Sequence, residues 1–243
     1  MRIAVLADVH ANLTAFEAVA ADWGEVDEVW SLGDVVGYGP DPNECVARLR
    51  ALRHVGIPGN HDWAALGKID VADFNPAARA AAEWTAQRLA PEARAYLEAL
   101  PQVERREPFT LVHGSVVSPI WEYLLDTGAA AASFERLETP HALIGHSHVP
   151  LMFVAEPNGR VGGQLLHPGA PFDLAGVRRI LNPGSVGQPR DGDPRASYAL
   201  VEKHGDRLTF QLRRVAYDVA ATQERMRAVG LPPSLISRLA SGR

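Results

Sequence analysis

Residues 3–12 read IAVLADVHAN, a short apolar run that stops at Asp8 and is followed by His10. Further runs rich in Val, Ile, Leu or Phe also stop immediately before, or one glycine before, residues that could bind a metal or move a proton. The runs are Ile3–Ala7, Val29–Leu32, Val55–Pro58, Phe109–Val112 and Ala142–Ile144, and the residues after them are Asp8, His10, Asp34, Asn60, His61, His113, His146 and His148. Ligands of open α/β sheets gather at the carboxyl ends of strands. The pattern therefore predicts one crevice that receives nitrogen and oxygen ligands from distant segments.

Length and charge narrow the class of protein. The chain has 243 residues, with 24 Lys and Arg against 29 Asp and Glu, which gives a net charge of −5. This length is ample for a buried core, and the acidic balance argues against a dedicated nucleic-acid surface. No apolar run approaches the ~20 residues that a membrane span needs, so no membrane association is expected.

Cysteine usage and the N-terminus suggest a compartment. The single cysteine, Cys45, excludes an intrachain disulfide and is expected to be a small buried residue. The chain enters its first predicted strand after Met1 and Arg2, which leaves no room for a signal peptide. We therefore expect a cytoplasmic protein.

The first 60 residues are typical of strand, helix, strand, helix, strand. Asn12 or Thr14 can cap a helix that ends near Ala21. A second helix is predicted to begin with Asp41 as N-cap and Pro42 as its first residue, with Glu44 completing a capping box. The remaining chain is predicted as two helices over 75–100, then mostly strands, then two short helices. The later elements are His141–Gly145, Leu151–Ala155, Gln164–His167, Arg178–Leu181, Ser197–Glu202, Arg207–Val215, Asp218–Val229 and Ser234–Leu239.

The element order predicts an α/β fold in which two packed mixed β-sheets are flanked by helices. Turn signals of the Pro-Asn-Gly, Pro-Gly and Gly-Asp type separate the late strands, so several of them should form antiparallel hairpins. No internal repeat or long linker interrupts the sequence. We therefore expect a single domain over residues 1–243, with residues 218–243 as a helical edge.

Each motif alone also has an ordinary structural explanation. In an extended chain, Asp8 and His10 would point the same way, but they could equally be a helix-capping carboxylate and a surface imidazole. Gly33-Asp34 could be a simple turn, and Gly59–Asp62 could be an Asx-turn. The histidines of Gly145–His148 could be exposed side chains. Five such coincidences in chain order are far less probable than one shared site.

The ordered series as a whole resembles the calcineurin-like metallophosphoesterase signature, over residues 8–148. Residues 182–190 are similar to the C-terminal segment of small prokaryotic members related to phosphodiesterases, although a Pro-Gly turn between strands explains them as well. In the functional interpretation, Asn182 or Ser185 lines the metal cleft. The resemblance implies the αββα sandwich of that superfamily.

The resemblance also implies two divalent ions. One ion would take Asp8, His10 and His148, the other would take Asn60, His113 and His146, and Asp34 would bridge them. Mixed imidazole, carboxylate and amide ligands suit Mn, Fe, Zn, Ni or Co better than calcium, and Mn is favoured for activity. The two ions and two carboxylates would leave a positive surplus for phosphate.

The implied reaction is hydrolysis of a phosphodiester or phosphomonoester through attack of a metal-bridging hydroxide. His61 would protonate the leaving oxygen, and Asp62 would orient the His61 ring and raise its imidazolium fraction. The substrate could be a nucleotide. The alternatives are a phosphoprotein or dinucleoside polyphosphate phosphatase, and a noncatalytic scaffold that binds a protein partner.

Substrate contacts are encoded less clearly. Tyr38 and Trp63 could stack on a base or pack against loops, and Arg190 could contact a phosphate. Trp121 and Tyr123 could form a pocket wall or the contact of a homodimer. We therefore take Tyr38 and Arg190, with Asn182 and Ser185, as candidate substrate-binding residues.

Overall fold

The computed structural model describes all residues 1–243 and contains twelve strands and eight α-helices. The strands are β1 (Arg2–Leu6), β2 (Glu28–Ser31), β3 (His54–Gly56), β4 (Val103–Arg106), β5 (Phe109–Val112), β6 (His141–Leu143), β7 (Pro150–Ala155), β8 (Val161–Leu165), β9 (Phe172–Asp173), β10 (Arg178–Pro183), β11 (Ala196–His204) and β12 (Arg207–Val215). The helices are α1 (Leu13–Asp22), α2 (Pro42–Arg50), α3 (Asn60–Leu66), α4 (Pro76–Ala86), α5 (Pro91–Glu98), α6 (Thr127–Arg136), α7 (Val219–Ala228) and α8 (Pro233–Arg238), with a 3₁₀ turn at Val71–Asp73. None of the helices is both long enough and apolar enough to cross a bilayer.

The strands form two mixed six-stranded sheets, ordered β3-β2-β1-β11-β12-β9 and β4-β5-β6-β10-β7-β8. Strands β1, β2 and β3 run parallel in the first sheet, and β5, β6 and β10 run parallel in the second. The predicted hairpins are present as the antiparallel pairs β7–β8 and β11–β12. The prediction of two packed mixed sheets flanked by helices is confirmed.

Alternation along β1 sends its side chains into two different cores. Val5 faces the core between the sheets, where it joins Leu111 of β5 and Leu143 of β6. Leu6 faces the opposite way, into the layer that contains Phe16 of α1. Side chains of a strand point alternately to its two faces, and each fully buried Leu or Val contributes about 1.5–3 kcal/mol of transfer free energy. The first sheet is therefore anchored on both faces, which fixes where its strand ends lie.

Edge strands were the least predictable elements. No pattern in the sequence predicts β4, whose residues VERR are mostly exposed, or the two-residue β9. The predicted strand Gln164–His167 is wrong in its bounds, because the strand is Val161–Leu165. This strand is an exposed sheet edge that contains two adjacent glycines, so it lacks the apolar alternation that marks a half-buried strand.

One of the two predicted helix caps is confirmed. The Asn12 side chain accepts a hydrogen bond from the Ala15 amide at 3.1 Å, as expected of an N-cap. The predicted capping box at Asp41 is wrong, because this carboxylate makes no cap hydrogen bond within α2. Asp41 instead forms an ion pair with Arg225 of α7 and accepts from the Leu13 amide at 3.4 Å. A tertiary ion pair has replaced the local interaction.

Helices α7 and α8 close one side of the fold near the ends of the parallel strands. Met226 of α7 and Leu235 of α8 belong to a buried cluster with Ala78 and Ala81 of α4. Tyr38, from the loop after β2, belongs to the same cluster. The C-terminal helices are thus held against the loops that follow the first sheet.

Candidate metal centre

The parallel strands of both sheets end at one place, and all eight strand-end residues lie there. Asp8, His10, Asp34, Asn60, His61, His113, His146 and His148 are each at most 5% exposed. Backbone hydrogen bonds join their loops, for example from the His10 amide to the Asp34 carbonyl at 2.9 Å and from the Gly145 amide to the His113 carbonyl at 2.8 Å. The predicted convergence of distant segments is therefore present.

The two aspartates are held in the same manner. Asp8 Oδ1 accepts from the His146 amide at 3.1 Å, and Asp34 Oδ1 accepts from the His61 amide at 2.8 Å. The second oxygen of each carboxylate, Oδ2, is buried and has no hydrogen-bond partner. A buried unpartnered carboxylate oxygen is costly unless a cation neutralises it. Both oxygens therefore fit the role of metal ligands.

Backbone carbonyls orient the rings of three histidines. The Nδ1 atoms of His10, His113 and His148 lie 3.2, 2.8 and 2.6 Å from the carbonyl oxygens of Val36, Leu32 and Gln188. With the Nδ1 proton donated to a carbonyl, the lone pair of each ring is on Nε2, which faces the cluster. Such backbone partners commonly fix the tautomer of metal-binding histidines. His146 is reversed, because its Nε2 lies 3.2 Å from the Trp121 carbonyl and its Nδ1 remains free.

The ligand atoms form two groups that share Asp34. The first contains Asp8, His10, Asp34 and His148, the second contains Asp34, His113 and His146, and within each group the atoms lie within 4.8 Å of one another. Asp34 Oδ2 lies 3.6 Å from His10 Nε2 and 3.4 Å from His113 Nε2. Asn60 Oδ1 extends the second group, at 3.2 Å from His113 Nε2. The arrangement can hold two cations that share one carboxylate.

Burial and mutual charge set the protonation of the cluster. Burial raises the pKa of Asp8 to about 7 and lowers the pKa values of His10 and His148 well below their usual range. At Asp34 and His113, burial alone would raise the first pKa and lower the second, but charge outweighs burial. The charges of His113 and of neighbouring histidines hold the pKa of Asp34 low, and Asp34 raises the pKa of His113 to about 9. Most of the imidazoles are therefore neutral, as metal coordination requires.

The loops that carry the ligands are left-handed turns. Every non-glycine residue with positive φ in the chain lies beside this site, namely Asp8, His10, Ala11, Asp34, Tyr38, His146 and His148, with φ from 50° to 67°. The expectation that an extended chain makes Asp8 and His10 point the same way is therefore wrong in its backbone conformation. Both side chains reach the cluster because the backbone turns at each of them. Strained backbone of this kind clusters at functional sites.

Two glycines permit the close contacts of these loops. A Cβ on Gly59 would lie 2.0 Å from Asp34 Oδ1, and a Cβ on Gly187 would lie 1.8 Å from the Val9 carbonyl oxygen. Neither space accepts a side chain. Gly59 therefore allows Asp34 to reach the cluster, and Gly187 allows the segment after β10 to lie on the Asp8 loop.

His61 and Asp62 lie at the site, but the expected contact between them is absent. Both Asp62 oxygens accept backbone amide hydrogen bonds, from Val36 at 3.0 Å and from Gly59 at 2.9 Å, and His61 Nδ1 is buried without a partner. Burial lowers the pKa of His61 to about 4. The predictions that Asp62 orients the ring and raises its imidazolium fraction are therefore wrong. Asp62 instead joins the loops after β2 and β3.

Asn182 and Ser185 are fully buried and support the ligand loops. The Asn182 amide donates to the Gly145 carbonyl at 2.6 Å and to Ser147 Oγ at 3.0 Å, and its oxygen accepts from the Gly184 amide. Ser185 Oγ donates to the Asp8 carbonyl at 2.8 Å and accepts from the Gln188 amide. All of their polar atoms have protein partners. The prediction that they line the cleft and contact substrate is therefore wrong.

Aromatic side chains surround the cluster. The Tyr38 ring lies 4.5 Å from the ring of His10 and 4.2 Å from that of His61, and Tyr123 stacks on His146 at 3.8 Å. Phe74, which belongs to no motif and was not predicted as a site residue, lies 4.9 Å from His61, and Trp121 lies 6.1 Å from Phe74. The interpretation of Trp121 and Tyr123 as a pocket wall fits these contacts.

Trp63 and Arg190 complete the residues singled out in the sequence. Trp63 is half-buried on α3, and the Lys68 ammonium lies 5.9 Å from the centroid of its ring, so it packs within the helix region. Arg190 lies at the site: its Nη2 donates to Tyr38 Oη at 3.3 Å, and its backbone amide donates to the His148 carbonyl at 3.3 Å. Arg190 thus remains a candidate for substrate contact.

Comparison with known proteins decides the family. The pattern of the Calcineurin-like phosphoesterase superfamily domain matches residues 1–206. The chain belongs to this superfamily. The structure of this calcineurin-like phosphoesterase is similar to that of a metallophosphoesterase from Sphaerobacter thermophilus. The two chains are 48% identical, the match covers 100% of this chain and 99% of the other, and the TM-score is 0.90.

Two archaeal proteins extend the comparison. An uncharacterized protein of Methanocaldococcus jannaschii is 35% identical over 249 aligned positions, which cover 99% of this chain and 98% of the relative. The structure of a hypothetical protein from Pyrococcus horikoshii is 23% identical, covers 100% of this chain and 98% of its own, and has a TM-score of 0.81. At that identity the second comparison shows only that the superfamily fold is shared.

Proposed function

We propose that this member of the calcineurin-like phosphoesterases is a hydrolase with two metal ions, acting on a phosphodiester or phosphomonoester. The observation that carries the proposal is the position of Asp34. Its unpartnered Oδ2 lies within 3.6 Å of Nε2 atoms from both ligand groups, which is the geometry of a bridging carboxylate. A site with two ions and one bridging ligand is typical of phosphoester hydrolysis.

The seven residues would divide between the ions as the ligand groups suggest. Asp8, His10 and His148 would hold one ion, Asn60, His113 and His146 would hold the other, and Asp34 would contact both. The mixture of nitrogen and oxygen donors suits Mn, Fe, Zn, Ni or Co, and we favour Mn for activity. When bound, the ions would supply activation of water for attack on phosphorus and neutralisation of the phosphate oxygens.

We propose that His61 donates the proton that the departing oxygen requires. The ring lies at the cluster, with its centroid 5.0 Å from that of His10, but its Nδ1 has no carbonyl partner of the kind that fixes the ligand rings. The pKa of about 4 that burial imposes would leave the ring neutral. An anionic substrate next to the ring favours its protonated form, so substrate binding would recruit the proton that is then transferred.

Tyr38, Phe74, Trp121 and Tyr123 form an aromatic rim around the cluster. This rim favours a substrate ester whose organic group is flat, such as a nucleoside. Trp121 and Tyr123 are 41% and 50% exposed, although large aromatic side chains are normally buried. Hydrolysis does not require stacking, but stacking of a base on an aromatic ring contributes about 1–3 kcal/mol to binding. A nucleotide is therefore the substrate class that best uses this rim. A cytoplasmic location and a homodimer stay predictions.

The test is hydrolysis of p-nitrophenyl phosphate and bis-p-nitrophenyl phosphate by the full chain with added Mn²⁺, beside the metal-free protein and Asp34→Asn. We expect turnover of at least one ester, with loss of turnover in both controls. The matched control is Asp206→Asn, an exposed carboxylate in the turn between β11 and β12. Two bound ions without turnover of either ester would contradict the enzyme assignment and favour the scaffold.

A further inference from the structure

Two guanidinium groups converge on one side chain beside the metal centre. Gln188 Oε1 accepts from Arg190 Nη2 at 3.0 Å and from Arg238 Nη1 at 3.5 Å. Gln188 is 1% exposed, and its Nε2 is buried without a partner, as is Arg190 Nε. Gln188 and Arg190 thus each present a buried donor that no other protein group satisfies, whereas Arg238 Nε donates to the Arg243 carbonyl. Buried donors of this kind normally have a hydrogen-bond partner.

No side-chain carboxylate lies within ion-pair distance of either guanidinium. No ion pair involves Arg190 or Arg238, whereas nearby arginines are paired with aspartates. These pairs are Arg213 with Asp22, Arg214 with Asp191, and Arg225 with Asp41. Arg238 is half-buried, and both burial and the Arg190 charge lower its pKa. An anion placed between two like charges would reduce their repulsion.

The pair lies next to the metal ligands but does not overlap them. The guanidinium carbon of Arg190 is 5.7 Å from the centroid of the Tyr38 ring, and that ring also lies 4.5 Å from His10 and 4.2 Å from His61. Arg238 comes from α8, and Tyr38 and Tyr123 lie near enough to act on its pKa. The Tyr38 ring thus contacts both the Arg190 guanidinium and the ring of the candidate ligand His10.

We propose that Arg190, Arg238 and Gln188 form a second anion subsite, which holds a phosphate of the substrate other than the one that is hydrolysed. The inference rests on the proposed function, because it assumes that the cluster holds the reacting phosphate. The substrate class that places a second phosphate near the first and a base on the aromatic rim is a nucleoside di- or polyphosphate. Arginine is well suited to this role, since its planar fork binds phosphate oxygens in pairs.

The C-terminal helix α8 contributes one of the three residues of the subsite, Arg238. The superfamily domain matches residues 1–206, and Arg238 lies beyond that match. Helix α8 is held by Leu235 and Leu239, which pack in the same cluster as Tyr38. The position of Arg238 is therefore fixed by apolar packing and does not depend on an ion pair.

The experiment compares ADP with p-nitrophenyl phosphate for the Mn-loaded full chain, using the ratio of their kcat/KM values. Arg238→Gln should lower this ratio roughly tenfold, the effect of losing one hydrogen bond to a charged group. Arg238→Lys should lower it less, because the charge is retained. Arg227→Gln, which removes an exposed arginine of α7, should leave the ratio unchanged. An unchanged ratio in Arg238→Gln would overturn the subsite.

A binding measurement separates this inference from the proposed function. Calorimetry should show that α,β-methylene-ADP binds wild type more tightly than AMP does, and that Arg238→Gln removes most of that difference. Equal melting temperatures of the variant and wild type would show that α8 is still docked. If no ester is hydrolysed but this binding difference is found, the proposed function fails and the subsite stands. Equal affinities for the two nucleotides in wild type would contradict the subsite, even where hydrolysis is observed.

Discussion

His10 Nε2 and His148 Nε2 lie 3.0 Å apart, although 138 positions separate the two residues in sequence. Each ring has its Nδ1 beside a backbone carbonyl, so each ring's Nε2 lone pair is turned toward the other. Two lone pairs at this distance repel unless a proton or a cation lies between them. A cation between the two nitrogens would remove this repulsion.

Metal removal should destabilise the protein. A ligand present at 100 times its Kd stabilises the folded state by about 2.7 kcal/mol, and for a chain of this size each kcal/mol shifts Tm by about 2–4 °C. We expect a chelator to lower Tm by about 5 °C or more, measured by calorimetry or circular dichroism. Asp34→Asn should already have the low Tm and should not respond to the chelator. A chelator-insensitive wild type would contradict metal binding.

His61→Ala should separate chemistry from metal binding. General acid catalysis contributes about 10²–10⁴-fold when the leaving group is a poor one. We expect a loss of that size on β-glycerophosphate and a much smaller loss on p-nitrophenyl phosphate, with unchanged metal content by mass spectrometry. His167→Ala, an exposed imidazole, is the matched control. Equal losses on both esters would exclude a general-acid role.

Asn182→Ala should weaken the metal centre by removing support from a ligand loop. The amide holds the Gly145 carbonyl and Ser147 Oγ, so its removal leaves buried groups unpaired and frees the loop that carries His146 and His148. We expect a loss of about 1–3 kcal/mol in unfolding free energy and roughly 10–100-fold weaker metal binding. Asn158→Ala, in an exposed turn, should change neither quantity appreciably. Unaltered metal affinity would show that the loop is held by other contacts.

Gly187→Ala tests the contact between the segment after β10 and the Asp8 loop. The added Cβ would meet the Val9 carbonyl oxygen at 1.8 Å, so the two segments must separate. We expect a loss of about 1–3 kcal/mol in unfolding free energy, the usual cost of overpacking, together with lower metal content. A Cβ on Gly162 meets nothing within 4 Å, so Gly162→Ala is the control. Similar denaturation midpoints for the two variants would argue against this close contact.

Metal binding should release protons and strengthen with pH. In the metal-free chain His113 has a pKa of about 9 and Asp8 a pKa of about 7, so both hold protons below those values. Ligands must be deprotonated, and affinity therefore falls as pH is lowered through this range. We expect between about one and two protons to be released at pH 7 and fewer at pH 10, measured by calorimetry in buffers of different ionisation enthalpy. Binding without proton release at pH 7 would contradict these protonation states.

The candidate ligand residues could be predicted from the sequence more reliably than the roles of the residues beside them. The strands that precede Asp8, Asp34 and His113 are buried on both faces, so their apolar runs stop where the backbone leaves the sheet. That change in composition can be read in one dimension. The two sheets and the order of their main strands follow from the same signal.

Contacts between distant segments left no such signal. Asp62 was paired with its sequence neighbour His61, but its carboxylate is held by the Val36 and Gly59 amides. Arg238 and Phe74 belong to no motif and reach the site only through the packing of α8 and the 3₁₀ turn. Such residues are selected by the three-dimensional arrangement, and local composition does not reveal them.

The left-handed turns place a double demand on the residues that form the centre. Asp and His both ligate transition metals, and both are enriched at positive φ among non-glycine residues. At Asp8, Asp34 and His148, with φ of 54°, 53° and 59°, one side chain must meet both conditions. A β-branched residue would be strained at positive φ, and glycine would offer no ligand atom. We therefore expect these loops to tolerate very few substitutions.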